Sequence, residues 1–517
     1  MREHTAEINL SLWQKVFMAF VLAALVGAFW FGRLDALRVM VTLVTTLAFI
    51  NLLFDAMLGI ISKRRRKTPE ISPETLDFDN LPFVTVFSPM YKEEKVAARH
   101  IRSANRLIWP RDKIEFLLLI REDDTGTREV IKRTLAEEGF PAGFRIVDVP
   151  PSHYGSKPAQ LQWGMEQMKG EFYPILDAEN VVDPHLLVRT YLRFLEEDGE
   201  KLSAVSAVPV VSNWRGSSSK HLAEKNLNGR QKAGAFLDRF VWSWFLPGQQ
   251  AAEYAKHYDW TNPGSILLGR LTPLPGNSVL FRTSAVKAVG GYDRGNKAED
   301  ADLSVALARA GWKIGFVECE TREEAPGTFR VWFKQRRRWM DGFLQTFFTH
   351  TRNPIQLFKD LGVLDTLFFL QYFGVRPFLM LVNPLVIAMT FIYGLSLLPP
   401  VQHLNPNIAA SVTLTLQETY SPLAKLMGIL IMFLGTGMYF YTLLDACMRR
   451  KMWRSAPFML FAPFYWLCQF AAQYWACKDF LVKAGWHLTE HVDEESTADA
   501  MPSYASASGA MLSEAGD

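Results

Sequence analysis

Residues 172–180 read FYPILDAEN. A short apolar run of strand length stops at two carboxylates, Asp177 and Glu179, with one small residue between them. Alternate side chains of an extended strand tip point to the same side, so both carboxylates can reach a single ion. The surroundings make this stretch decisive. Strand-length apolar runs recur before it (FVTVFSP, IEFLLLI, FRIVDVP) and after it (SAVSAVP, SVLFRT, KIGFVE). Helical stretches, KVAARHIRSANRL and TREVIKRTLAEEG, lie between the early ones. Strands alternating with helices predict a mainly parallel, doubly wound α/β sheet over 81–352. Such sheets bind ligands beyond the carboxyl ends of their strands, so chemistry is expected at the acidic tip.

Three more acidic groups occupy comparable places. FSPMYKEE puts Pro89, Tyr91 and Glu93 at the end of the first strand, and REDDTGT puts Glu122, Asp123 and Asp124 after the second. NKAEDADLS puts Glu299, Asp300 and Asp302 at the start of a helix. One such cluster would be explained by the helix dipole, which favours acids in a first turn. Four in order argue for a site. Mg²⁺ or Mn²⁺ suits carboxylate ligands and completes its shell with substrate phosphates.

A basic stretch, KQRRRWMDGF at 334–343, follows the acidic groups. If 329–347 is helical, 100° per residue sets Gln335, Arg338 and Trp339 within about 100° of arc. Arg337 then points nearly opposite, with Arg336 between. The first face offers an amide, a guanidinium that can fork onto phosphate oxygens, and an indole that can stack on a sugar. Arg336 and Arg337 are expected to meet lipid headgroups.

The remainder of the 517 residues is strongly apolar although 21% of the chain is charged. A net charge of +3 gives no case for a nucleic-acid partner. Cys319, Cys447, Cys468 and Cys477 show neither metal-ligand nor disulfide spacing. The run at 39–61 is long enough to span a membrane and the run at 16–31 is at the short end, so the two read as a membrane hairpin, and no cleavage site follows the first. The KRRRK that follows places that flank, and with it the N-terminus, in the cytoplasm, so that 1–67 reads as a transmembrane hairpin with a basic cytoplasmic flank. In 360–482, the stretch 364–375 reads as an interfacial helix, while 377–398 and 426–446 read as spans. The segment 456–476, interrupted by Pro463, could cross, re-enter or lie in the interface. The tail, 492–517, has the composition of a disordered segment.

Taken in order, these motifs resemble those of membrane-embedded family-2 inverting glycosyltransferases, the cellulose, curdlan and hyaluronan synthase relatives. QRRRW is similar to their Gln-x-x-Arg-Trp signature, and AED to Thr-Glu-Asp, with Ala298 in place of threonine. DAE stands where most members have Asp-x-Asp. YGSKPAQLQWGM resembles the stretch carrying a donor-binding lysine, and GWHLTEH (485–491) a short ending of many members. The resemblance implies a GT-A fold, in the cytoplasm, between N- and C-terminal transmembrane helices of a bacterial inner-membrane protein. It implies a nucleotide diphosphate sugar as donor, a UDP-sugar being favoured, and a glycan or lipid-linked acceptor, with export or regulatory partner proteins possible. By position, Pro89, Tyr91, Glu93, Glu122, Asp123 and Lys157 would contact the donor, and Asp177 and Glu179 would hold Mg²⁺ or Mn²⁺. Arg338 would grip the diphosphate, Asp300 would be the general base, and Glu299, Gln335 and Trp339 would border the acceptor. Residues 272–283, TPLPGNSVLFRT, are an acceptor-site loop containing Gly276 and Asn277, or simply a turn leading into a strand. Asp55, Asn383 and Tyr393 are polar positions within apolar runs and candidates to line a polymer path. The expected product is a processively built polysaccharide. The alternatives are transfer of a single sugar to a lipid-linked or short acceptor, and a degenerate transferase acting as a membrane scaffold.

Overall fold

The computed structural model describes residues 5–7, 9–64, 80–214, 236–404, 406–452, 457 and 460–482. The tail and the GWHLTEH stretch lie outside the described residues, as do most of KRRRK and the end of RRKMWR.

Among the described residues, eight strands form one sheet in the order β3-β2-β1-β4-β7-β6-β8-β5. β1 (Val84–Met90) and β2 (Ile114–Arg121) are buried almost throughout. That explains why they read as continuous apolar runs: helices cover both faces. Val84, Val86 and Phe116 pack on one face with Leu186 and Leu187, whereas Phe87, Leu117 and Leu119 pack on the other with Leu161 and Met165. The predicted parallel pairing holds from β3 (Phe144–Val149) through β2 and β1 to β4 (Phe172–Pro174), and again between β6 (Leu202–Val211) and β8 (Lys313–Glu323). β7 (Val279–Arg282) is antiparallel to both its neighbours, and β5 (Val181–Val182) is antiparallel to β8. The sheet is therefore mixed, as in a GT-A domain.

The reversal of β7 positions the site. β1, β2, β4, β6 and β8 all run the same way, so their carboxyl ends share one edge. β7 runs oppositely, and its amino end, with Gly276 and Asn277 just before it, reaches that same edge.

Among the described residues, four helical runs are long and apolar enough to cross a membrane: Leu12–Phe31, Leu34–Ser62, Pro354–Ser396 and Pro422–Arg449. The stretch expected to lie in the interface is part of the third. Phe368, Phe369, Tyr372 and Phe373 are buried there with Leu58 and Ala301, so protein rather than lipid covers its aromatic face. The run 456–476 is interrupted at Pro463, where a helix begins. This proline occupies the second position of the helix, Ala462–Val482, where its missing N–H costs nothing.

Candidate active site

A cavity of about 1680 Å³ opens at the active edge of the sheet and continues between the apolar helices. Its walls include Lys157, Asp177, Glu179, Gly276, Asn277, Glu299 and Asp300 near the sheet. Gln335, Arg338 and Trp339 join them from the helix Phe329–His350, which places the three on one wall as the 100° spacing predicts. Asp55, Asn383 and Tyr393 line its far part.

Lys157 is the hub of the sheet side. Ser156 caps the helix Lys157–Gln167 by accepting from the Ala159 N–H, which fixes Lys157 at its first position. Its Nζ lies 2.5 Å from Asp177 Oδ1 and 3.4 Å from Glu299 Oε1, and donates to the Gly276 carbonyl at 3.3 Å. Burial disfavours its charge, but Asp177 and then Glu299 outweigh that and hold the ammonium above its ordinary value.

Asp300 sits in the first turn of the helix Glu299–Arg309. Burial, followed by the neighbouring Glu299, pushes its carboxyl up to about 7. A Cβ at Gly276 would lie 3.1 Å from Asp300 Oδ2 and 3.9 Å from Lys157 Nζ. Glycine thus lets the loop backbone close onto both groups.

Glu323, at the carboxyl end of β8, escapes the sequence reading. It lines the cavity and accepts from Asn277 Nδ2 at 2.8 Å. Burial raises its carboxyl to about 7 against the hydrogen bonds from Tyr254 and Asn277, and Glu179 and Asp177 add to the rise. The signal was the strand-end rule already applied to Asp177. β8 continues through ECETRE with alternating burial, five residues past the end of its apolar run.

The arginine helix is bolted down by protein. Arg336 is buried and pairs with Glu253 at 2.9 Å, and its guanidinium lies 4.5 Å from the Trp339 ring. Tyr465 also donates to Glu253, at 2.9 Å. Arg337 pairs with the buried Asp479 of the last helix. The expectation that these two arginines meet lipid headgroups is therefore corrected: each is consumed by a carboxylate. Lys297 pairs with Asp341 at 2.7 Å, and Gly342 packs on Ala298 so closely that a Cβ would sit 2.5 Å from its Cβ. Those contacts hold the arginine helix against the turn that presents Asp300. Gln335 Oε1 is buried with no hydrogen-bond donor among the described residues.

Away from the cavity, Pro89 is buried within β1 opposite Leu119. Tyr91 follows at the strand end, and the Glu93 N–H donates to Thr127 Oγ1. Asp124 is buried; it caps the helix Thr125–Glu137 through the Thr127 N–H and accepts from the Lys92 N–H at 2.6 Å. Asp123 pairs with Arg121, and Glu122 is exposed.

A family model described as "Glycosyltransferase like family 2" matches residues 82–342, just over half of the chain. The chain belongs to that family. A second, "Glycosyl transferase family group 2", matches 257–476 and so reaches into the apolar helices. Among curated relatives of this family-2 glycosyltransferase is the "Probable glycosyltransferase YdaM" of Bacillus subtilis (strain 168). It is 25% identical over 303 residues, covering 57% of this chain and 64% of that protein. The "Probable glucomannan 4-beta-mannosyltransferase 3" of Arabidopsis thaliana is 24% identical over 389 residues, covering 70% and 64%. The chain thus spans just under two thirds of either relative. A solved mannosyltransferase from Pyrobaculum calidifontis, in complex with GDP-Man and Mn²⁺, aligns over 87% of this chain and 99% of that one, at 17% identity and a TM-score of 0.48.

Proposed function

We propose that this family-2 glycosyltransferase transfers a sugar, with inversion, from a nucleoside diphosphate sugar to a growing glycan, processively, at a membrane. The observation that carries this reading is the continuity of one cavity. It runs from Lys157 and Asp177 past Asp300 to Asn383 and Tyr393 between the membrane-candidate helices.

Asp300 has the properties of the base. An acceptor hydroxyl attacks the anomeric carbon, the bond to the diphosphate breaks, and the hydroxyl proton passes to Asp300. A carboxyl titrating near 7 balances availability against basicity at neutral pH. Gln335 and Trp339, both on the cavity wall, would border the acceptor sugar, with the indole stacking on its ring. Lys157 and Arg338 would face the charge that develops on the departing diphosphate.

Asp177 and Glu179 suit a hard divalent cation. Among the described residues no group of three or more His, Cys, Asp or Glu is arranged to hold an ion by itself, which fits a cation completed by donor phosphates. Mg²⁺ or Mn²⁺ held by this pair would supply charge neutralisation to the leaving group. By the basic flanks of its apolar hairpin, we place the catalytic domain on the cytoplasmic side.

One feature favours a second reading, transfer to a lipid-linked acceptor. Lys256 and Arg376 both pair with Asp55 in the far part of the cavity, leaving one positive charge in excess there. Product length separates the two. The test is release and transfer by the purified full chain in lipid, with UDP- and GDP-sugars and Mg²⁺ or Mn²⁺, beside Asp300→Asn. Polymeric product that disappears in the variant supports the proposal. A single addition moves it to the lipid-linked acceptor, and folded protein that binds no nucleotide moves it to a scaffold.

A further inference from the structure

The guanidinium of Arg121, the last residue of β2, is fixed on three sides. Its carbon lies 3.9 Å from the ring centroid of Tyr91 and 3.9 Å from that of Tyr154. Nε and Nη2 donate to Asp123 Oδ1 and Oδ2 at 2.9 and 2.7 Å. Both faces and the side edge of the fork are thus engaged. Among the described residues nothing engages the end edge, whose two parallel N–H groups on Nη1 and Nη2 are held at one orientation.

We infer that this edge reads the base of the donor, and that the base is guanine; the inference rests on the transferase reading above. Distance argues for a base here. β2 and β4 flank β1, so the ends of β2 and β4 lie about 10 Å apart, at roughly 4.8 Å per strand spacing. With the diphosphate at Lys157 and Asp177, a nucleoside extending along the strand ends brings its base to Arg121.

Charge argues against a phosphate at the same edge. Asp123 neutralises Arg121 through the side edge of the fork, leaving that fork little net charge to offer an anion. A neutral ring carrying acceptors suits this place better than an anion does. Two parallel donors are matched by adjacent acceptors, the O6 and N7 of guanine. Adenine offers N7 beside a donor amine, and uracil offers O4 without an adjacent acceptor. The sequence resemblance favours a UDP-sugar; the fixed fork favours a GDP-sugar.

Calorimetric titration of the full chain in lipid nanodiscs, with Mn²⁺ and free GDP, UDP or ADP, tests this directly. GDP should bind about tenfold more tightly than UDP or ADP, the order of one good bidentate pair. Arg121→Gln and Arg121→Lys should each cut GDP affinity by about that factor and erase the preference. Thermal melting of both variants checks that they fold. UDP binding as tightly as GDP, or a GDP preference surviving in folded Arg121→Gln, overturns the base assignment and leaves the transferase standing. Folded wild-type protein that binds none of the three overturns the transferase reading, and this inference with it.

Discussion

On the wall assigned to the donor, Asp177 leaves the tip of β4 and Lys157 opens the helix after β3. Each is delivered by the sheet itself, and they meet because parallel strands end on one edge. The wall assigned to the acceptor is assembled differently. Asn277 is held by Glu323, 46 residues away, and Arg336 by Glu253, 83 residues away, while Arg337 reaches Asp479 across 142. A binding site for a common chemical unit can be built from the regular part of a fold. A wall that must also meet the membrane helices needs long-range ion pairs to set its position. The comparison makes a general prediction: disturbing the acceptor wall should harm transfer while sparing nucleotide binding.

Asp300→Asn gives the largest effect. Transfer should fall by about 10²–10⁴-fold, the range for a positioned base, with nucleotide affinity nearly kept. Loss of both together would erase the distinction between the walls. The pH dependence has a definite sign. A base titrating near 7 is protonated below that, so wild-type transfer should decline as pH falls through about 7. Stability runs the other way. A carboxyl raised above its ordinary 3.8 by burial makes the folded state lose stability as pH rises from about 4 to about 7. Asp300→Asn should therefore melt at or above the wild-type temperature at pH 8, with the gap closing in acid.

Glu253→Ala comes next. It strands Arg336, and breaking a buried pair costs about 3–5 kcal/mol. The lower end is expected here, since the Glu253 side chain is 37% exposed. Denaturant melts should show the loss, and transfer should suffer more than nucleotide binding because Trp339 loses the guanidinium against its ring. Gly342→Ala is smaller, about 1–3 kcal/mol of overpacking. Its methyl would meet the Ala298 Cβ and backbone N, each 2.5 Å away, displacing the turn before Asp300. An unchanged melting temperature would mean that the arginine helix is not bolted to that turn.

The same comparison explains what could be read from the sequence. Strand-end acids, the helix over the arginine stretch and its Gln335–Arg338–Trp339 face follow from local periodicity, and all appear where expected. Glu253 could not be found that way. It lies in a helix, Ser243–Lys256, and only its long-range contact with Arg336 brings it to the site. Glu323 was hidden by a half-buried strand whose polar residues alternate, which resembles the end of a strand when apolar runs alone are followed. Pro463 interrupts its apolar run by starting a helix, Ala462–Val482, because proline is tolerated in a first turn and not in a helix interior.

The smallest effect tests the donor wall on its own terms. Asp124 satisfies two backbone donors at once, the Thr127 N–H of its own helix and the Lys92 N–H of the loop carrying Tyr91. Removing a capping side chain costs about 1 kcal/mol. Lys92 has φ +59°, a conformation that strains a side-chain-bearing residue, so losing its anchor should let Tyr91 drift from Arg121. Asp124→Ala should lower stability by about that amount and weaken nucleotide binding, with the rate of transfer at saturating donor unchanged. This pattern is the mirror image of Asp300→Asn. If Asp124→Ala instead slowed saturated transfer at unchanged nucleotide affinity, the two walls would be mechanically one, and the division drawn from their construction would not describe how they work.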